Sequence, residues 1–415
     1  MAEILYLVHR IPFPPNKGEK IRSYHLLRYL ATHHSVHLGC FIDSKDDEQY
    51  VGKVEKICKS IIVRPLNPTL AKLRSFSGFL SGSPLSVPYY HDRELAQWVD
   101  KTLSENPVSA IVAFSSPMGQ YAIGPRFDSY QRIMDFVDID SDKWRQYAIK
   151  TRSPMKWIYS REARFLSAYE QRVANEFDAA LFVSEGETAM FAREHPELTE
   201  RLHTVYNGVD SSYFNPEMNY ETPFLAETLP IVFTGMMNYW PNVDAMSWFA
   251  KQVLPDIRRS FPSAELWIVG ASPVREVQDL SLMNGVHVTG NVPDVRPYLK
   301  HAKVVVAPLR IARGVQNKVL EAMSMGQTVI CTPEASAGLR NADIAPLRLA
   351  NSEHEFVDHL RATLGNPECA SELDKSRDYV LRNYDWDRSL SFFSSTLLSG
   401  DAQFDVGAFA ESRSH

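Results

Sequence analysis

VVVAPLRIARGVQNKVLEAMSMG, residues 304–326, passes from an apolar strand through a basic loop to a glycine and then into a helix. The first N–H groups of a helix lack intrahelical partners, and they carry the positive end of the helix dipole toward that loop. A flexible residue at Gly314 lets backbone approach an anion closely, so the layout is that of a phosphate site. Lys318 sharpens this. A cation in the first helical turn opposes the dipole, and its placement makes sense if an anionic ligand such as a diphosphate sits there. Asn317, Lys318 and Glu321 project from one helix face. Asn317 and Lys318 suit phosphates, while Glu321, an acceptor with two oxygens, suits the paired hydroxyls of a ribose. An ordinary surface Lys–Glu pair has the same spacing; the strand–glycine–helix context favours the nucleotide.

Outward from this stretch, short apolar runs alternate with amphipathic segments, as in parallel sheets flanked by helices. The second half predicts strands at Ile231–Thr234, Leu266–Val269, Val286–Thr289, Val304–Ala307 and Thr328–Cys331, with helices near Asn242–Phe261, Val295–His301 and Asn317–Met325. The first half opens with EILYLV (Glu3–Val8), a proline-rich loop and a helix from Lys20 to about Thr32. Strands follow at Val36–Phe41, Ser60–Val63, Ala110–Phe114, Gln131–Phe136 and Ala179–Val183. Val209–Leu229 has prolines and turn-formers but no periodicity, and reads as a linker. The expected organisation is a Rossmann-like acceptor domain over 1–208, the linker 209–229 and a Rossmann-like donor domain over 230–385. A terminal helix over 386–399 packs back on the first domain, and 400–415 is a flexible tail. Two doubly wound α/β domains place ligands at the carboxyl ends of their strands.

Composition bounds the function. A chain of 415 residues with 44% apolar residues suits two globular domains. The net charge of −6 supplies no basic field for nucleic acid. Cys40, Cys58, Cys331 and Cys369 are scattered without a C-x-x-C pair, which fits a reducing cytoplasm. No run reaches the roughly 20 apolar residues that span a bilayer, so any membrane contact is expected to be peripheral, at the inner face of the cell membrane.

The run Gly314-x-x-Asn317-Lys318-x-x-Glu321-Ala322-Met323 resembles the donor signature of the large retaining glycosyltransferase family 4, which has the two-Rossmann GT-B fold. Tyr206–Asp210 (YNGVD) is similar to the close of that family's first domain, and Phe233–Met237 (FTGMM) to the glycine turn opening its second. Leu266–Gly270, Val288–Val292 and Ala307–Leu309 match later strands, so the resemblance covers nearly the whole chain. HRIPFPPNKGEKIRSYHLL (His9–Leu27) and DFVDIDSDKW (Asp135–Trp144) resemble a bacterial subgroup associated with exopolysaccharide and exosortase (PEP-CTERM) systems.

The resemblance implies a metal-independent hexosyltransferase using a UDP- or GDP-sugar as substrate, with no cofactor and a glycan or lipid-linked acceptor. It implies that Gly18 lies close to the sugar phosphate, that Gly235 admits the donor phosphate, and that the backbone around Val292 cradles the base. The family signature carries two glutamates; Glu321 matches the second, and Arg313 stands where the first falls. Arg310 and Arg313 add positive charge suited to a departing diphosphate. His9 and Asp138 are acceptor-side candidates, Asp138 as a base. Asp138-Ile139-Asp140 has the form of a D-x-D metal motif, but the donor signature lies in the other domain, where a helix dipole, Lys and Arg supply the neutralisation. Asp294 reads as a cap, as does Ser184. Lys72, Arg74, Phe76, Phe79, Trp144, Arg145, Lys150, Arg152, Lys156 and Trp157 form basic-aromatic stretches suited to anionic lipid. A nucleotide-sugar 2-epimerase and a non-catalytic nucleotide-sugar-binding subunit are the rival functions.

Overall fold

A computed structural model of the chain describes residues 2–398 except 16, 17, 77, 80, 81, 152, 313 and 367–369. The expected tail, 400–415, lies outside the described residues. Contacts divide the chain into two units. The first comprises Met1–Phe182, Phe191–Val205 and Asp387–His415; the second comprises Val183–Met190 and Tyr206–Trp386.

In the first unit the strands are β1 (Glu3–Val8), β2 (Ser35–Ile42), β3 (Ser60–Pro65), β4 (Val108–Phe114), β5 (Gln131–Val137), β6 (Ala179–Phe182) and β7 (Leu202–Thr204). They form one parallel sheet in the order β3-β2-β1-β4-β5-β6-β7. Strand β1 is buried on both faces from Ile4 to Val8, as its unbroken apolar run requires. The chain builds outward from β1 to β3, then returns to the other side of β1 as β4. The crevice at this reversal lies beyond Val8 and Phe114, where open α/β sheets bind ligands. The helix Trp386–Leu398 adds to this unit from Asp387 onward. There Ser394 meets the Tyr29 hydroxyl at 2.6 Å, and the Phe392 ring lies 4.8 Å from His203.

The second unit repeats the design with β8 (Leu229–Thr234), β9 (Ala264–Val269), β10 (Val286–Gly290), β11 (Val304–Ala307), β12 (Val329–Cys331) and β13 (Arg348–Leu349). The order is β10-β9-β8-β11-β12-β13, all parallel, so this sheet reverses between β8 and β11. The stretch expected as a linker, Val209–Leu229, belongs to this unit, and Val209 and Phe224 join its core. Val209 is also tied to Tyr384 by a 2.7 Å backbone bond. The long helix expected over Asn242–Phe261 runs Trp240–Trp248, widens into a π turn at Phe249–Val253 and resumes at Leu254–Ser260. Pro255 explains the widening, since it has no N–H to continue the ladder.

Candidate functional site

The reversal in the second sheet gathers the residues of the opening motif. Strand β8 ends at Thr234 and hands over to Gly235, while β11 ends at Ala307 and leads through the basic loop to the helix Asn317–Ser324. That helix buries Val319, Leu320, Ala322 and Met323 in the core. Asn317, Lys318 and Glu321 are left half-buried on the opposite edge.

Lys318 donates from Nζ to Asn242 Oδ1 at 2.6 Å and lies 4.5 Å from the centre of the Phe233 ring. Asn242 is itself anchored, its Nδ2 donating to the Met236 carbonyl at 2.9 Å. Gly235 completes the group. A Cβ there would stand 2.8 Å from Asn242 Nδ2 and 3.1 Å from Lys318 Nζ, so a larger residue would fill the space beside the amine. Burial lowers the Lys318 amine to about 7, against the favourable charge of Glu321. Burial likewise raises the Glu321 carboxyl to about 7, against Lys318. Two buried oxygens here, Asn317 Oδ1 and Thr234 Oγ1, have no hydrogen-bond partner among the described residues. Buried polar atoms are seldom left so, and a site that completes its bonding with a ligand is one reason they are.

Gly314 has a left-handed backbone, φ 57°, and its carbonyl packs so closely on Gly338 that a Cβ on the latter would lie 2.1 Å away. The loop end is thereby held against the structure following β12. Arg310 is engaged elsewhere than beside Lys318. Its guanidinium grips Asp244 through Nε at 3.0 Å and Nη2 at 2.5 Å, and lies 5.9 Å from the Trp248 ring. Its charge is therefore matched by a carboxylate. Arg313 lies outside the described residues. Val292 is half-buried against the core, and neighbouring Asp294 accepts from the Arg296 backbone at 2.9 Å and pairs with its guanidinium, while Val295 takes the N-cap position expected for Asp294.

The first unit holds the remaining candidates. Gly18 begins the helix Gly18–His33, and Lys17 lies outside the described residues. His9, at the end of β1, stacks on Phe114 at the end of β4 with ring centres 5.9 Å apart. Its Nε2 lies 3.8 Å from Glu19, which also pairs with Arg10. Burial raises the Glu19 carboxyl, but His9 and Arg10 outweigh it and bring it to about 2. Asp138 and Asp140 each lie 3.1 Å from Lys143 Nζ, so the D-x-D pair is bridged by a lysine. Ser184, which belongs to the second unit, accepts from Glu187 N at 3.3 Å, a helix cap.

Thr234 and Gly270 fall within stretches that the sequence marks, but nothing in it marks Asn242. Asn242 sits inside an expected helix, where its polar side chain reads as surface. Asp244 was equally hidden, since its pairing with Arg310 joins positions far apart in the chain.

Comparison with known proteins agrees with this architecture. Residues 229–366 match the family model described as glycosyl transferases group 1. No curated protein gives a significant match. Among solved structures, HepE from Anabaena, crystallised with UDP and glucose, has a TM-score of 0.65 at 14% identity, covering 96% of this chain and 100% of that one. A glycosyltransferase from Rickettsia africae has a TM-score of 0.61 at 13% identity, with coverage of 95% and 97%. WaaG, a glycosyltransferase involved in lipopolysaccharide biosynthesis, has a TM-score of 0.59 at 14% identity, with coverage of 96% and 100%. The chain has the GT-B fold, and residues 229–366 of its second unit are similar to the group 1 glycosyl transferases.

Proposed function

We propose that this protein is a glycosyltransferase that moves a hexosyl group from a nucleoside diphosphate sugar to a glycan or lipid-linked acceptor in bacterial exopolysaccharide assembly, without a metal. The observation that carries the reading is the convergence of Lys318, Asn242, Gly235 and the unpartnered Asn317 oxygen at the reversal of the second sheet. In the reaction the bond from the sugar's anomeric carbon to the diphosphate oxygen breaks, and negative charge grows on the leaving group. A cation and helix N–H groups placed there stabilise that charge without reorganising. Glu321 takes the ribose hydroxyls, and Gly235 leaves room for the phosphate. The neutralising role falls to Lys318 and the helix start.

A uridine nucleotide is the first choice, supported by a like-folded protein that holds UDP and glucose. UDP-glucose at about 100 times its Kd should stabilise the chain by about 2.7 kcal/mol and raise Tm accordingly. GDP-mannose and ADP-glucose are expected to do less. Equal and negligible shifts with all three would sink the donor assignment, and binding of UDP-glucose without turnover would favour the non-catalytic reading.

Contact with the cytoplasmic face of the cell membrane is supported by one surface of the first unit. Phe76 and Trp157 are 63% and 64% exposed, and Phe79 links them by stacking on both rings. Lys72, Arg74, Lys156 and Arg164 are exposed around them. The Lys150 side chain and Arg152 lie outside the described residues. No helix among the described residues is long and apolar enough to cross a membrane. Exposed aromatics flanked by cations suit anionic headgroups. Phosphatidylglycerol vesicles should sediment the wild-type chain, and the Phe76→Ala, Trp157→Ala pair should lower the bound fraction about fivefold or more. Wild-type protein left wholly in the supernatant would remove the membrane contact.

A further inference from the structure

At the carboxyl ends of β4 and β5, two residues other than glycine have left-handed backbones, Ser115 with φ 73° and Val137 with φ 71°. Val137 is the centre of a three-residue turn closed by a 2.9 Å bond from Asp138 N to Phe136 O. A β-branched residue in that conformation is strained by about 1–3 kcal/mol, and such strain collects where side chains must be aimed. Here it aims Asp138, which with Asp140 keeps about a third of its side chain exposed while sharing Lys143.

Beneath them lies Glu170, from the helix Met155–Glu176, only 1% exposed. Its Oε1 accepts from Ser116 Oγ at 3.2 Å and from Ser141 N at 3.2 Å. Ser116 Oγ is also 3.3 Å from Asp140 Oδ2. Glu170 Oε2 is buried without a partner among the described residues.

We propose that Glu170 is the positioning residue of an acceptor subsite: it ties Ser116 to the start of the helix Asp140–Lys150 and so aims Asp138 and Asp140 at the hydroxyl groups of an acceptor sugar. Two carboxylates held by one lysine can each accept from vicinal hydroxyls. The inference rests on the glycosyl-transfer reading. The groups facing Glu170 are Asp140, Ser141 and Arg145 on one side and Ser116 on the other. Burial, then the charge of Asp140, raises the Glu170 carboxyl to about 8. Below that pH it is neutral and compatible with Asp140; above it, a second buried negative charge pushes on Asp140 and loosens the cluster.

The test is saturation-transfer NMR on the intact protein with UDP kept saturating at each pH, using octyl β-glucopyranoside and octyl β-galactopyranoside below their micelle concentrations. Wild-type protein should saturate glycoside ring protons at pH 7, and the signal should fall about fivefold or more by pH 9.5. Glu170→Gln should hold its pH 7 signal across that range. Ser116→Ala removes a donor that favours the carboxylate, and should shift the fall to higher pH. Asp140→Asn should lose the signal throughout while keeping the UDP-induced rise in Tm. No ring-proton saturation in the wild type, the same alkaline fall in Glu170→Gln, or undiminished binding in Asp140→Asn would each overturn the proposal. Loss of the UDP response in the wild type would instead strike the donor reading.

Discussion

Lys318→Ala is expected to lower kcat/KM for the nucleotide sugar by about 100- to 1,000-fold, the cost of deleting one preorganised group that faces developing negative charge. The structure places the Lys318 amine against Asn242 Oδ1 and the Phe233 ring, with Gly235 leaving the adjoining space open. The amine titrates near 7, so the free site loses its positive charge as pH rises through that value. A bound diphosphate favours the ammonium form and raises its pKa. Binding above pH 7 must therefore take up a proton, and the UDP Kd should weaken by up to about tenfold per pH unit there. Lys318→Arg keeps the charge at all these values and should flatten that limb while binding more weakly, because the guanidinium has a different shape. Glu321 governs the acid side. Its carboxyl, raised to about 7, accepts ribose hydroxyls best when ionised, so affinity should fall again below that pH. Glu321→Gln should mimic the acid state, with a loss of about 10- to 100-fold. Calorimetry with UDP from pH 6 to 9 reads both limbs. A flat profile in the wild type, with near-native kinetics in Lys318→Ala, would remove the assignment.

Much of this was legible because the sequence writes parallel strands as short apolar runs and phosphate sites as strand, glycine and helix. Val304–Ala307 forms β11 as expected, and Asn317 begins the helix as its position after a basic glycine loop predicts. Three-residue β7 and two-residue β13 carry too little pattern to be read, and each is an edge strand whose pairing is decided by its neighbour. The reading of Val209–Leu229 as a linker differs from the structure for a similar reason. A stretch without periodicity reads as a linker, yet Phe224 packs between Trp267 and Tyr298 with ring centres 5.1 and 5.8 Å away. Charge partners were the least visible feature. Arg310 looked available to a diphosphate because its loop is basic, and only the fold reveals that Asp244 already holds it. Likewise Glu170 sat in an ordinary amphipathic helix, with nothing local to mark it as buried.

Gly270→Ala tests whether the glycine turn beside Lys318 depends on its neighbour as closely as the geometry requires. Gly270 follows β9 with φ 156°, and a Cβ on it would lie 1.7 Å from the Gly235 carbonyl oxygen. No rotamer relieves this, because both atoms are fixed to backbone. Gly235 N also donates to Val269 O at 3.0 Å, so the two strand ends must separate together. A displacement approaching 1 Å at Gly235 would carry it off the Lys318 amine, and misplacement on that scale costs about 100-fold in rate. The comparison that isolates this effect is Gly290→Ala. Gly290 also has a positive φ, 68°, and its carbonyl accepts from Gly270 N at 3.2 Å, but a Cβ there meets nothing within 4 Å. Its cost should be the backbone term alone, about 1–2 kcal/mol, and although Gly290 is two residues from Val292, any loss in donor kinetics should stay well below that of Gly270→Ala. Gly270→Ala adds overpacking of about 1–3 kcal/mol to strain of that order, and it should lose UDP binding in the fraction that folds. Melting curves and donor kinetics on both variants separate the two costs. Equal behaviour of the pair, or donor kinetics in Gly270→Ala within twofold of wild type, would mean that Gly235 tolerates displacement and that the phosphate is held by other groups.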